Sequence, residues 1–422
     1  MNSITKDLIT KRIIMILNIF DANTQTTETP GLSPEMKTYY EKRLIQLASP
    51  KLVYDQFGDK YPIPKNGGKN IEFRKYSPLE KANTPLAEGV TPTGNSMNVT
   101  TITGEVKQYG DWIGMSDMFL TSAIDNNVVE ATKLLASQAG RTLDTVTREV
   151  VCGGTNVRYA PKVNGTTVTE VSSRADLDST ALLTPDLIFK ANADLSAMNA
   201  DTIDDCYVGI IHPHIEYDLM RNDEWIDVHK YAQPENIYAG EIGKLGGVRF
   251  VRTSEAKIFG PAKIAANLSR LTVKTAVSSS TTSVAINETV PAESFATPVP
   301  VYVNGVENTI TAITVADGVS SVTLGTAVTS LSVGAVICGK GGGKDGSSVY
   351  ATIIVGAHAY GTTELEGGGL EHITKPLGYG DDPLNQRASC GWKATKTAVR
   401  LVEPYMIRLE TGSSYSGTSE AN

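Results

Sequence analysis

Residues 127–152, NVVEATKLLASQAGRTLDTVTREVVC, contain no proline, and Val128, Ala131, Leu135, Ala139, Leu143, Val146 and Val150 recur every three or four positions. That spacing lines the apolar side chains along one face of an α-helix. Asn127 with Glu130 three residues on resembles a capping box, and Gly153-Gly154 supplies a C-terminal stop. At 1.5 Å per residue the helix is roughly 40 Å long. A compact domain rarely holds an element of that length, so it predicts a spine along which other elements are arrayed.

The second constraint lies at 60–112. Two alternating runs, Ile71–Tyr76 and Asn98–Val106, flank a tip that carries Pro78, Pro85 and Pro92. This pattern reads as a long two-stranded ribbon. Such a ribbon is marginal in water by itself and needs a surface to lie on. Phe73-Arg74-Lys75-Tyr76 sets aromatics beside cations, as a base-stacking strand does, but a formal charge of −8 favours a solvated ribbon over nucleic-acid binding.

Around these elements the chain divides as follows. Residues 1–32 read as a disordered or partner-ordered arm. Its Lys11-Arg12 and Ile13–Phe20 only superficially resemble a signal peptide, since no small-x-small cleavage site follows; an upstream start codon, with Met15 the usual one, is the alternative. Residues 33–59 hold a first helix, opened by Ser33-Pro34 and closed at Pro50, and a lead-in to the ribbon. Residues 113–183 contain the spine. Residues 184–261 read as mixed α/β, with a helix from Pro185 to Met198, a buried strand at Cys206–Ile211, a helix ending at Arg221 and a strand at Val248–Val251.

Composition then changes. Within 271–337 the charged residues are Lys274, Glu288, Glu293, Glu307 and Asp317; the rest is dominated by Val, Thr, Ser, Ala and Gly. Short β-prone runs occur at 271–277, 282–286, 299–303, 309–315, 319–324 and 332–338, and Asn304-Gly305 and Asp317-Gly318 are hairpin signals. We read 262–346 as an inserted all-β domain, with the glycine-rich 339–346 as its mobile exit linker. Residues 347–410 return to the body through strands at Val349–Val355, Ala388–Val402 and Tyr405–Leu409, with a long loop at Gly361–Asp382. Residues 411–422 read as a disordered tail.

Chemistry is sparse. Cys152, Cys206, Cys338 and Cys390 form no C-x-x-C pair and read as reduced thiols. No apolar run approaches the roughly 18–20 residues a membrane span needs. The stretch before Lys344 lacks the first glycine of a phosphate loop, and Asp345 stands where Ser or Thr is required. His212-Pro213-His214 fits a helix start better than a metal site. Asp204-Asp205 and Asp381-Asp382 read as solvated turns, and no G-x-S-x-G elbow occurs. We therefore expect no catalytic, cofactor or metal site and no enzymatic activity; the surfaces carry the function.

Longer strings are more specific. Leu32–Leu47 with Pro50–Phe57, then Pro62–Arg74, Leu86–Pro92 and Leu143–Glu149, closely resemble the major capsid proteins of the enquatrovirus-like tailed phages, and Asp21–Thr26 resembles their N-terminal arm. The resemblance covers roughly 15–260 and 347–410 and skips the β-insert. It implies an α+β fold of the tailed-phage, Hong Kong 97 type: an axial domain, a peripheral domain carrying the spine helix, and an extended two-stranded loop. It also implies self-assembly into an icosahedral shell of hexamers and pentamers around double-stranded DNA. The expected location is the virion, assembled in the host cytoplasm, with portal, scaffold or decoration proteins as further partners and no membrane. The residues expected to contact a neighbouring copy are Ile71, Phe73, Arg74, Tyr76, Leu86, Glu88 and Val90. The competing reading is another virion or surface structural protein, such as a fibre or adhesin, which the β-rich middle supports.

Overall fold

A computed structural model describes residues 53–64, 67–76, 94–122, 127–164, 167–222, 243–264, 268–316, 318–363, 370–380 and 382–422, together with the strand Thr24–Gln25, Trp225 and single positions between 77 and 93. The helix expected at 33–50, the rest of the N-terminal arm and most of the ribbon tip lie outside the described residues. The chain forms two compact units: residues 1–52, 60–143 and 362–397 in one, and 53–59, 144–361 and 398–422 in the other.

In the first unit the strand Asn70–Tyr76 pairs antiparallel with Val99–Glu105, from Asn70↔Glu105 to Tyr76↔Val99. The ribbon ends there rather than at 112. Lys107–Ser116 instead joins a sheet, pairing with the long strand Arg387–Arg400 from Lys107↔Lys396 to Ser116↔Arg387. Val106 marks the switch, being buried with its N–H donating to Lys69 O at 2.8 Å. Glu371–Lys375 pairs with the other edge of Arg387–Arg400, so the loop expected at 361–382 contains a strand. Its sequence, EHITK, has no clear alternation, which hid it.

Helix α1 is Asp117–Ser122, and helix α2, the spine, is Asn127–Cys152. In the first unit α2 packs Ala131, Leu135, Ala139 and Leu143 against Met115, Phe119, Cys390, Trp392 and Ala394. Past Leu143 the buried face changes character. The sequence pattern points to Val146 and Val150, yet both are half-buried, and Asp144, Thr147, Arg148, Val151 and Cys152 are the buried positions. The reason is hydrogen bonding. Asp144 Oδ1 accepts from the N–H groups of Val53 at 3.1 Å and Tyr54 at 2.9 Å. Thr147 Oγ1 donates to Asp55 Oδ1 at 2.7 Å, and Arg148 Nη1 donates to Glu255 O at 2.8 Å. A buried segment without strand partners must satisfy its backbone donors from side chains, and this turn of the helix supplies them.

The second unit is built on a seven-stranded sheet with Val349–Val355 at its centre. That strand pairs antiparallel with Tyr207–Ile211 on one side and Met406–Thr411 on the other. All seven of its residues are buried, as expected for an apolar run covered on both faces. Tyr350 and Ile354 enter one core with Leu187, Ile188, Leu195, Ile211 and Ile215; Ala351, Ile353 and Val355 enter another with Val53, Tyr54, Val151 and Val208. Helix α3, Pro185–Ala197, starts as its sequence dictates: Thr184 is the N-cap, its hydroxyl accepts from Leu187 N–H at 3.4 Å, and Pro185 opens the first turn. Helix α4 is Pro213–Met220.

Residues 270–339 form a six-stranded antiparallel sheet in the order Arg270–Thr272, Val336–Gly339, Glu293–Val303, Val306–Ala316, Val319–Val328, Thr281–Ala285. The two end strands meet through the Val273↔Ile286 bridge, with Lys274 N–H donating to Ala285 O at 2.8 Å and Asn287 N–H to Thr272 O at 2.9 Å. The sheet therefore closes into a small barrel and leaves no long free edge. Leu271, Val284, Ile310, Ile313, Val322, Leu324 and Ile337 are among its core residues. Asn304-Gly305 turns the first long hairpin with φ of 49° and 81°, the left-handed pair a tight hairpin requires.

Two sequence expectations fail here. Residues 339–346 are packed rather than mobile: Lys344 N–H donates to Leu177 O at 2.6 Å, and a Cβ on Gly343 would sit 2.3 Å from that same oxygen. The glycines serve close approach. The tail at 411–422 is likewise held, through Ser413, Ser414, Tyr350 and Asn422.

Candidate functional site: the ribbon and the trough

On the ribbon, directly opposed residues share a face. Phe73 faces Ile102, with Ile71 and Lys75 on the same side opposite Gly104 and Thr100. Arg74, Tyr76 and Glu72 lie on the other side, opposite Thr101, Val99 and Thr103. Ile71 and Phe73 are half-buried, Arg74 and Tyr76 exposed. Tyr61 meets Phe73 edge to face, with ring centroids 5.2 Å apart. At the base Lys69 Nζ and Glu105 Oε1 are 2.6 Å apart; their mutual hydrogen bond raises the lysine pKa and lowers the glutamate pKa. Both are solvent-exposed, so the pair orients the strands more than it stabilises them.

Of the residues expected to make contacts, the structure brings Ile71, Phe73, Arg74 and Tyr76 together on one strand, two on each face. Glu88 is exposed near the tip, while Leu86 and Val90 lie outside the described residues. Beyond the expected Tyr76, which is 59% exposed, sequence reasoning missed the exposed apolar residues beside it: Leu79 is 59% exposed, Met97 76% and Val99 46%, an arrangement that leaves large side chains in water. The alternation in 98–106 was signal enough for Val99; nothing in the sequence singles out Met97.

A second surface lies in the same unit. The sheet made by Lys107–Ser116, Arg387–Arg400 and Glu371–Lys375 carries α2 on one face, and Gly110, Gly114 and Gly391 line a trough of about 760 Å³ along its strands. Trp112, Ile373 and Tyr379 wall it, and Asp111, Lys375, Asp382 and Arg387 add charge. Trp112 is 47% and Tyr379 64% exposed, and Lys375 Nζ sits 5.1 Å from the Tyr379 ring centroid. The trough can accept an apolar or aromatic protrusion with polar flanks.

The two histidines of the His-Pro-His motif serve helix α4. His212 caps it, its Nδ1 accepting from His214 N–H at 3.1 Å, and Pro213 opens the first turn. Burial, then the neighbouring His214, pushes the His212 pKa down to about 4. The four cysteines are buried and unpaired in the second unit and the sheet. Burial pushes the Cys152 thiol up to about 12 and the Cys338 thiol to about 11. Among the described residues no helix is long and apolar enough to cross a membrane.

Comparison with known proteins agrees with this geometry. A family model described as phage capsid protein matches residues 111–305, from the first sheet strand through the spine helix into the barrel. No curated protein matches the sequence. Among solved structures, the chain resembles the capsid of cyanophage P-SCSP1u at 12% identity and a TM-score of 0.54, covering 89% of this chain and 93% of that one. It resembles the capsid of Ralstonia phage GP4 at 12% identity and 0.54, covering 94% and 100%. The capsid of cyanophage Pam1 matches at 10% identity and 0.53, covering 93% and 98%. At such identities the structural likeness is one of fold, and it extends over nearly the whole chain. The spine helix, the ribbon and the likeness over nearly the whole chain lead to one conclusion: the chain has the Hong Kong 97-type fold of tailed-phage capsids, and its residues 111–305 match the phage capsid protein family.

Proposed function

We propose that copies of this chain assemble into an icosahedral shell of hexamers and pentamers that encloses double-stranded DNA, in a virion of the enquatrovirus-like branch of tailed phages, formed in the host cytoplasm. The observation that carries the reading is the ribbon, which exposes Tyr76, Leu79, Met97 and Val99 and, among the described residues, has no second layer of its own. An isolated two-stranded ribbon is marginal in water, so its stability comes from a neighbouring copy. Ile71, Phe73, Arg74, Tyr76, Leu86, Glu88 and Val90 make that contact. The glycine-floored trough is the surface of this chain best suited to the tip, since its aromatics are exposed and its floor is open to a protruding side chain. Obligate contacts of this kind bury on the order of 2,000–5,000 Å². The acidic balance of −8 suits a container that holds DNA without gripping it.

The barrel at 262–346 is an inserted domain that either faces outward as decoration or braces the capsomers. Deleting it and comparing particle stability with host adsorption separates the two. Portal and scaffold proteins are further partners of the shell. A fibre or adhesin leaves the spine helix and the ribbon without a role.

Electron microscopy of the purified chain tests the proposal. Closed shells or capsomers are expected. A chain lacking residues 66–94 should fold and remain unassembled; normal particles from that deletion overturn the ribbon's role.

A further inference from the structure

The barrel has a core of its own, separate from the two cores of the sheet that it interrupts. The chain reaches it through Ile258–Ile264 and leaves through Lys340–Ser348. These two passages touch each other, with Ala262 N–H donating to Lys340 O at 3.1 Å, and the second touches the body, with Lys344 N–H donating to Leu177 O at 2.6 Å. Both passages contain glycine, at 260 and at 341–343 and 346.

Residues 412–422 cross this root. One end is fixed to helix α4: Ser413 Oγ donates to Asp218 Oδ2 at 2.8 Å, Ser414 N–H donates to the same oxygen at 3.1 Å, and the Tyr415 ring lies 4.5 Å from His214. The middle lies over the exit passage, where Ser348 N–H donates to Gly417 O at 2.9 Å and Tyr350 Oη donates to Ser416 O at 3.1 Å. The far end covers the entry passage, where the Asn422 side chain accepts from Ile258 N–H and donates to Ala256 O, each at 2.9 Å. One barrel residue joins all of this. Arg270, in the first barrel strand, donates from Nη2 to Gly417 O at 3.1 Å and also to Gly346 O. Its guanidinium lies where Gly346 has no side chain; a Cβ there would be 2.9 Å from Arg270 Nε.

We propose that residues 412–422 are a strap that sets the orientation of the barrel on its body, with Arg270 as the barrel's point of attachment. Without the strap the barrel stays folded around its own core and pivots on its two glycine-bearing passages. With it, the barrel is a rigid feature of the subunit. The inference is independent of how copies assemble.

Amide hydrogen exchange on the purified chain tests this with two variants, a truncation after Thr411 and the full chain carrying Arg270→Gln. The reporters are the amides of Ala262 and Lys344, whose acceptors lie outside the strap. Both should exchange at least about tenfold faster in each variant, while the barrel strands Val306–Ala316 and Val319–Val328 keep their protection. Unchanged exchange at Ala262 and Lys344 in Arg270→Gln overturns the proposal. So does loss of protection across the barrel strands, because the tail is then part of the barrel's fold. Should the truncated chain fail to fold, Arg270→Gln decides alone.

Discussion

Tyr61 stands edge-on to Phe73, ring centroids 5.2 Å apart and planes at 70°, at the root of a ribbon whose far end carries Tyr76 and Met97 in open solvent. Among the described residues the ribbon is thus held at its base by its own chain and left uncovered at Tyr76 and Met97. The double substitution Tyr76→Asp, Met97→Asp should leave the isolated chain within about 0.5 kcal/mol of the parent in urea unfolding, as exposed changes usually do. If the ribbon contacts a neighbouring copy as proposed, assembly should fail, because two charges then enter a surface that would otherwise be desolvated. Particles of normal yield and size by electron microscopy contradict this.

Asp144 is a separate test of what the spine does. Asp144→Ala removes the acceptor of two buried N–H groups, those of Val53 and Tyr54. An unsatisfied buried donor costs about 1–3 kcal/mol, so the loss should be roughly 2–4 kcal/mol by chemical denaturation. Asp144→Asn retains an acceptor oxygen and should cost much less. Equal losses in the two variants show that packing rather than hydrogen bonding fixes residues 53–55.

Two glycines should respond to alanine for different reasons. Gly305 has φ of 81° and open space where a Cβ would stand, so Gly305→Ala carries only the left-handed backbone cost, about 1–2 kcal/mol. Gly343 has an ordinary φ of −80°, but its Cβ would meet Leu177 O at 2.3 Å. Gly343→Ala must push the backbone apart and break the Lys344–Leu177 bond, costing about 3 kcal/mol. Thermal unfolding of both variants checks the order.

Acid should weaken the fold through His212. Its pKa falls from the ordinary 6.5 to about 4 because burial, then the charge of His214, disfavours the imidazolium. The unfolded chain takes up that proton near pH 6.5 while the folded chain resists until about pH 4. The contribution is therefore complete above pH 6.5, declines as pH falls towards 4 and is flat below. At roughly 1.4 kcal/mol per pH unit it amounts to on the order of 3 kcal/mol. His212→Asn keeps a capping acceptor and should flatten this part of the stability profile between about pH 7 and 4.5. An unaltered slope in the variant shows that other groups set the acid response.

Covalent cross-linking between copies is not expected. Lys69 is engaged with Glu105, and nothing distinguishes Lys65, Lys75 or Lys81 as a reactive partner. Mature particles should run on a denaturing gel as a single band near 45 kDa; a ladder of multimers contradicts this.

Local pattern was enough to locate the spine helix at its observed bounds, the Thr184-Pro185 helix start, the apolar strand Val349–Val355 and the Asn304-Gly305 hairpin. In each case the cause is short-range: periodicity, capping, or a backbone angle that few residues adopt. Phe73 and Tyr76 could be named from alternation for the same reason.

What escaped depends on residues far apart in sequence. The strand Glu371–Lys375 forms because Arg387–Arg400 offers an edge, not because EHITK favours it. The buried Asp144, Thr147 and Arg148 follow from the donors and acceptors of residues 53–55 and 255, which the helix's own pattern cannot reveal. The tail, polar and rich in Ser and Gly, looks unstructured alone, and it is ordered because Asp218, Tyr350 and Ile258 present complementary groups along its path. Sequence alone determined which segments could become helix, strand or ribbon, since those choices are made by neighbours along the chain. Tertiary structure alone decided which polar groups are buried and which apolar ones remain exposed, because desolvation and hydrogen bonding are settled only once distant segments meet.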